Sequence, residues 1–331
     1  MHNHPPLGGV DLDRRRPGPQ LREAAGTAAS RGSGRTRLRR GGATPYLFLL
    51  PGFALFTLAI LYPIAQAFRM SFYDWKIVGS ATSEFLGLDN YLRALGDDKF
   101  WVAFGNTAFY AVATIVPQIV LGLAVALLLH GRAPARPLFR VLYYLPVVTS
   151  WVVVSLVFRF LFADQGLINY LLGEVVHVTD GQTSWLADRW TGMIAISALG
   201  IWKGVGWSMM IFLAALQGVP ATLMEAAMID GAGPWQRFRA VTLPAIRAAL
   251  GFVTIMLVIG GFNVFISVYL MTGGGPAGRT EVLLTYMYNQ AFGSLDFGYG
   301  SAIAVIVTLI VLALSLIQLR MFRNPDGGYV E

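Results

Sequence analysis

The sequence predicts an all-α integral membrane protein with six transmembrane helices, and three observations predict it. Of 331 residues, 55% are hydrophobic and 13% charged, whereas soluble domains carry about 25% charged residues. Several apolar runs reach the roughly 20 residues that a helix needs to cross a bilayer. The segments between these runs alternate between basic and acidic, as they do in a chain that crosses repeatedly.

Residues 1–45 are rich in Arg, Gly and Pro and have almost no apolar periodicity, which predicts a disordered tail. A six-span domain follows over 46–323, with spans at about 46–68, 102–130, 141–161, 191–216, 248–271 and 300–320, and residues 324–331 form a C-terminal tail. Arg14, Arg22, Arg31 and Arg40 of the tail, Arg132, Arg136 and Arg140 of the second loop, Arg237, Arg239 and Arg247 of the fourth, and Arg320 and Arg323 at the end fall on one side. The positive-inside rule makes that side cytoplasmic, so both termini are inside. Asp74, Glu84, Asp89, Asp97, Asp98, Asp164, Asp188, Glu281 and Asp296 fall on the other. The net charge of +7 is therefore read as a membrane signature, with no nucleic-acid partner.

Ala65-Gln66-Ala67 has the small-residue spacing of a signal-peptidase site. The apolar run before it is near 20 residues, longer than the 7–15 of a signal sequence. Cleavage would also break the charge alternation, so the first span is read as an uncleaved anchor. Pro63, Pro117 and Pro146 lie in or near the first three spans, and Gly200, Gly204, Gly206, Gly251, Gly260 and Gly261 punctuate the fourth and fifth. Prolines kink helices and small residues let them approach closely; neither property decides function.

Between spans four and five lies a polar island. Pro220 suits the first turn of a helix, Ala221 to Ile229 are mostly good helix formers, and Asp230-Gly231 reads as a stop. Pro234 opens a second short helix, which Thr242-Leu243-Pro244 ends, because proline disfavours helix in the residue before it. The result is a helical hairpin at the cytoplasmic surface. Leu223, Ala226, Ala227 and Asp230 share one face at spacings of three or four. Two readings of Glu225 stay open: completion of a capping box begun by Thr222, or contact with a partner.

Chemistry is narrowly bounded. There is no cysteine, which excludes disulfides, iron–sulfur clusters and thiolate metal sites. His2, His4, His130 and His177 are scattered, so neither a metal site nor a nucleophile–base pair is visible. No GxxxxGK[ST] pattern occurs. Every Asp and Glu falls outside the six spans, which argues against a proton-coupled carrier, although a self-contained carrier or channel remains the rival class. Two polar groups inside spans are candidates for a site. Lys203 is the deepest base, a cavity-lining or bundle-stabilising group. Asn263, between Phe262 and Phe265, suits sugar binding by stacking and hydrogen bonding or a bond between helices.

The stretch Glu225-Ala226-Ala227-Met228-Ile229-Asp230-Gly231, followed by Val241-Thr242-Leu243-Pro244, resembles the EAA loop of bacterial ABC importer permeases. Val241 stands where that loop usually has isoleucine. Phe85-Leu86-Gly87-Leu88-Asp89-Asn90-Tyr91, Phe100-Trp101, Asn106-Thr107, Gly166-Leu167-Ile168-Asn169-Tyr170, Trp202-Lys203-Gly204-Val205-Gly206 and Met271-Thr272-Gly273-Gly274-Gly275-Pro276 extend the likeness in the same order. From Pro45 to Arg323 the chain looks like the permease subunit of a carbohydrate-type, binding-protein-dependent importer of the maltose and glycerol-3-phosphate kind.

The resemblance implies a type I importer fold in a bacterial cytoplasmic membrane and transport by alternating access. It implies ATPase subunits that use ATP and Mg, while this chain binds no cofactor. It also implies a second permease that is a distinct chain, an extracytoplasmic solute-binding protein, and a sugar or polyol phosphate as cargo. Glu225, Ala226, Ala227, Asp230, Gly231, Leu243 and Pro244 would form the ATPase-coupling element. Asn263, Phe262, Phe265 and Lys203 are the candidates for the substrate pathway.

Overall fold

The computed structural model describes residues 44–75, 83–131, 135–175 and 183–322. The expected tails, apart from residues 44–45, lie outside the described residues, as do Arg132, His177 and Arg323. The chain divides into a unit ending at Ala59 and a unit beginning at Ile60. The first contributes α1 (Thr44–Phe56), whose side chains from Tyr46 onward are exposed and almost entirely apolar, as a surface facing acyl chains should be. A π turn over Thr57–Leu61 follows, just before Pro63, where the ladder lacks an N–H.

The second unit opens with α2 (Tyr62–Met70). Two-residue strands β1 (Tyr73–Asp74) and β2 (Glu84–Phe85) then pair antiparallel, a small exception to the all-α expectation. Asn90 of α3 (Asp89–Gly96) fastens this ladder by donating to the carbonyls of Ser71 at 3.0 Å and Tyr73 at 3.1 Å.

The spine is a pair of long helices, α4 (Asp98–His130) and α8 (Arg189–Gln217). Both begin on aspartate caps: Asp97 accepts from the Lys99 N–H at 2.9 Å and Asp188 from the Trp190 N–H at 3.0 Å. A carboxylate there satisfies orphan donors and faces the positive end of the helix dipole. The two helices meet through glycine. A Cβ at Gly122 would stand 2.7 Å from Ser208 Cβ, and one at Gly200 would stand 2.5 Å from the Tyr110 hydroxyl. Met209, Phe212, Leu213 and Leu216 of α8 fill one core with Leu123 and Ala126 of α4.

Among the described residues, four helical courses are long and apolar enough to cross a membrane: Tyr46–Met70, Asp98–His130, Arg189–Gln217 and Phe297–Phe322. The number rises to six if each of two bent pairs counts as one span.

The expected third span, 141–161, is not one rod. It consists of α5 (Arg136–Val148) and α6 (Trp151–Leu161), bent by 96°. Pro146 removes a rung near the end of α5, and Thr149 and Ser150 are extended. A short α7 (Leu167–Tyr170) follows.

The expected fifth span, 248–271, also breaks. α12 (Arg247–Phe262) stops at Asn263, whose side-chain amide donates to the Ile259 carbonyl at 2.8 Å and so competes for the helix ladder. α13 (Ile266–Met271) resumes after Phe265. Asn263 thus caps its own helix instead of bonding a neighbouring one. α14 (Leu283–Tyr288) and α15 (Phe297–Phe322) complete the chain.

Candidate functional sites: a mid-span cavity and a surface hairpin

On α4, Tyr110, Thr114 and Gln118 recur every four residues and so face one way. On α8, Gly200, Lys203, Gly204 and Trp207 do the same. The facing stripes, with Val147, Trp151, Met256, Leu257, Gly260 and Gly261, line an open cavity of about 340 Å³. Two indole rings, a phenol, an amide and a hydroxyl line it. Aromatic faces with a few fixed hydrogen-bonding groups are what a sugar ring requires.

Of the sequence-derived pathway candidates, Lys203 reaches this cavity. Asn263, Phe262 and Phe265 do not line it. Phe262 is buried against Ala111 and Val258, Phe265 stacks on Tyr269 at 5.3 Å, and Asn263 is exposed at the break after α12. Tyr110, Thr114, Gln118 and Trp151 were missed. The four-residue polar spacing on α4 was the available signal for three of them.

Lys203 is buried, and its ammonium donates to the carbonyls of Pro146 at 2.8 Å, Val147 at 3.3 Å and Thr149 at 2.6 Å. A lysine has three donors, and all three are engaged. The acceptors are carbonyls at the C-terminal end of α5, which the helix itself leaves without partners. The ammonium also lies 5.0 Å from the centre of the Trp151 ring, within cation–π range.

The hairpin leaves the far end of α8. α9 (Ala221–Ile229) begins directly after Pro220, which serves as an extended cap without a side-chain hydrogen bond. Thr222 is therefore inside the helix, and the capping-box reading of Glu225 falls. Glu225, Ala226, Asp230 and Gly231 are exposed, and Ala227 is half-buried. Gly231 has φ +77°, with its N–H donating to the Met228 carbonyl at 3.1 Å and that of Ala232 to Ala227 at 2.9 Å. This left-handed closure is the one glycine favours.

The return helix is α10 (Pro234–Arg237), a π turn (Phe238–Thr242) and α11 (Leu243–Ala245) in one course. It does not stop before Pro244, contrary to expectation. The wider π turn accommodates the proline, Leu243 stays helical, and the course ends at Ile246 with a 69° bend into α12. Leu243 is half-buried and Pro244 exposed. Ile246, 1% exposed, and Phe238 are the residues that seat the hairpin in the α4–α8 core. Large apolar side chains remain outside, Ile229 at 86% and Trp235 at 70% exposure.

The opposite end of α8 is a polar framework. Asn106, fully buried, donates to the carbonyls of Arg279 at 2.8 Å and Glu281 at 2.7 Å and accepts from Arg189 Nε at 2.9 Å. Thr107 Oγ1 accepts from the Leu283 N–H at 2.9 Å. Asn169 Oδ1 accepts from the Trp185 indole at 2.8 Å.

Asp97 accepts from the Tyr286 hydroxyl and, at 2.7 Å, from that of Tyr299. The Arg93 guanidinium lies 4.0 Å from the Tyr299 ring centre and pairs with Asp296 at 2.6 Å. Burial pushes the Asp97 carboxyl up, but the bonds from Tyr286, Tyr299 and the backbone outweigh it and hold the group below its ordinary value. Its stabilising contribution is therefore complete above the ordinary Asp range and is lost as pH falls below it. Asp97→Asn is expected to lower stability at pH 7 by about 1.5–3 kcal/mol, the range for hydrogen bonds to a charged group. The deficit should shrink at pH 3 in detergent melts; an equal deficit at both pH values would show that the charge is not the cause.

The family described as "Binding-protein-dependent transport system inner membrane component" matches residues 118–324. The chain is 37% identical to the probable ABC transporter permease protein YurN of Bacillus subtilis, over 85% of this chain and 96% of that one. It is 35% identical to the arabinooligosaccharides transport system permease protein AraP of Halalkalibacterium halodurans, over 85% and 89% of the two. It is 31% identical to the diacetylchitobiose uptake system permease protein DasB of Streptomyces coelicolor, over 96% and 98%. A chain of a bacterial ABC transporter involved in the import of the acidic polysaccharide alginate superposes with TM-score 0.72, at 21% identity over 85% of this chain and 95% of that chain, a likeness of fold.

Proposed function

We propose, from the premise that this chain belongs to the family of binding-protein-dependent transport system inner membrane components, that it is the permease subunit through which an oligosaccharide enters the cell. The observation that carries the reading is the mid-span cavity, whose Trp151, Trp207, Gln118 and Thr114 suit a polyhydroxylated ring. The related permeases named for arabinooligosaccharides and diacetylchitobiose support the same class. A neutral sugar is favoured over a polyol phosphate, because the cavity's one cationic side chain among the described residues already has its three donors engaged.

In this proposal a solute-binding protein delivers the sugar, and a second, distinct permease forms the other half of the path. Separate ATPase subunits supply the energy from ATP and Mg. Glu225, Ala226, Ala227, Asp230 and Gly231 enter a cleft of the ATPase, and Leu243 and Pro244 complete the coupling element. ATP binding moves the hairpin, and the bundle rocks between inward-open and outward-open states. That coupling needs a docking surface whose contacts differ between the two states, and the exposed face of α9 with Ile229 and Trp235 offers one.

The test is to purify the tagged chain in mild detergent from its native membrane and identify its companions. The next step is to measure uptake of a panel of neutral oligosaccharides and glycerol-3-phosphate by the reconstituted assembly. An ATPase, a second permease and saturable uptake of one neutral sugar are expected. A chain that purifies alone and transports without ATP would instead be a self-contained carrier. Asn263→Ala, which removes the amide that caps α12 at the break, is expected to lower uptake without loss of assembly. Unchanged uptake would remove Asn263 from the pathway.

A further inference from the structure

We infer that Lys203 is a positioning residue: it sets the bend of the broken third span and thereby holds Trp151 in the cavity wall. The argument begins with backbone accounting. A helix ending inside a protein leaves carbonyls without donors, and each costs free energy if buried unpaired. α5 ends this way at Val148, in mid-span, where lipid supplies no donors. Lys203 reaches in from α8 and engages the carbonyls of Pro146, Val147 and Thr149. The last of these lies in the two-residue extended break itself. One cation therefore grips both the end of the first half-helix and the link to the second.

The surroundings leave α5 little freedom to move on this side. The α-carbon of Gly206 is so close to the Tyr143 carbonyl that no Cβ would fit, and the Val147 side chain crowds the same point. α5 thus lies backbone to backbone on α8, with Lys203 beside the contact. The far arm is held differently. Trp151 is the first residue of α6, and its ring faces the ammonium at 5.0 Å while lining the cavity. Releasing the ammonium would free the break to straighten and would withdraw the indole from the wall. The arrangement also explains why a charged residue is accommodated at mid-span without an acidic partner: helix-end carbonyls carry the partial negative charge that neutralises it.

The test reads the bend directly and needs no substrate, so it is independent of which sugar is carried. The chain contains no cysteine, so spin labels can be placed on Leu138→Cys and Phe160→Cys, both exposed and on opposite arms. Arms of this length bent by 96° put the two sites roughly 20 Å apart, against roughly 33 Å in a straight helix. A second pair, Val116→Cys and Leu312→Cys, reports on the bundle away from the break. Both pairs are measured by pulsed electron resonance in the full chain, purified with whatever accompanies it, against a sample without introduced cysteines.

Lys203→Met is expected to abolish the single short separation across the break and to spread it toward the longer value. The second pair should stay unchanged, and Lys203→Arg should restore the short separation. If Lys203→Met does not accumulate, Lys203→Gln, with two donors and no charge, is read the same way. An unaltered short separation in the uncharged variant would overturn the inference. So would an equal change in both pairs, which would make Lys203 a general support of the fold.

Discussion

Gly231→Asp is expected to abolish sugar uptake while the chain still inserts, folds and keeps the second permease proposed for it. Gly231 closes the first hairpin helix with φ +77°. A side chain there meets nothing within 4 Å, so the only intrinsic penalty is conformational, about 1–2 kcal/mol for an L-residue in the left-handed region and less for Asp. That is small against the 5–15 kcal/mol that stabilises a typical domain. The larger effect falls on the proposed ATPase contact. Gly231 adjoins the exposed Glu225, Ala226 and Asp230, and a further carboxylate buried unpaired against a partner costs several kcal/mol. At 1.4 kcal/mol per decade, that weakens docking a hundredfold or more. Copurification of the ATPase with the variant, and uptake by reconstituted vesicles, measure the two consequences. Gly231→Ala, which carries only the conformational penalty, should retain most of both. Full uptake by the aspartate variant would remove this face from the coupling element.

Asn106→Leu should be the most damaging conservative change at the opposite end. Leucine has the same number of side-chain heavy atoms but a larger volume, so some overpacking at this fully buried site adds to the lost hydrogen bonds, and Asn106→Asp, nearly isosteric, separates the two effects. Two carbonyls, of Arg279 and Glu281, lose their donor, and Arg189 Nε loses its acceptor. A buried polar group left without a partner costs about 1–3 kcal/mol, so the total approaches the stability of a marginal domain. The framework should then loosen where α4, α8 and the loop before α14 are tied together. The fraction of chain remaining monodisperse after heating in detergent reads the effect. Asn106→Asp keeps the acceptor for Arg189 but offers no donor to the carbonyls and should be intermediate. Wild-type behaviour from the leucine variant would mean that water replaces the bonds and that Asn106 does not organise this end.

The regular parts of the fold were legible before the structure because they follow from composition alone. The second, fourth and sixth runs appear within a few residues of their expected bounds, since a long apolar helix is the cheapest way to satisfy backbone groups in lipid. The hairpin was legible for a different reason: Pro220, Gly231 and Pro234 punctuate a stretch too polar to cross. The end of its return helix was not legible. Pro244 did not end the return helix, because the π turn before it absorbs the missing N–H, and Ile246 and Phe238 seat it instead.

The long apolar helices and the sorting of acids and bases between the apolar runs were determined by the sequence by itself, because burial of side chains in lipid and the preference of charges for water act on each residue independently of its distant neighbours. The breaks at Thr149–Ser150 and Asn263–Phe265, the cavity and the engagement of Lys203 were decided only by the tertiary structure. A lysine in a span reads in sequence equally as a cavity-lining or a bundle-stabilising group. Whether it has spare donors depends on a helix end 54 residues away in the chain, and that proximity is created by packing alone.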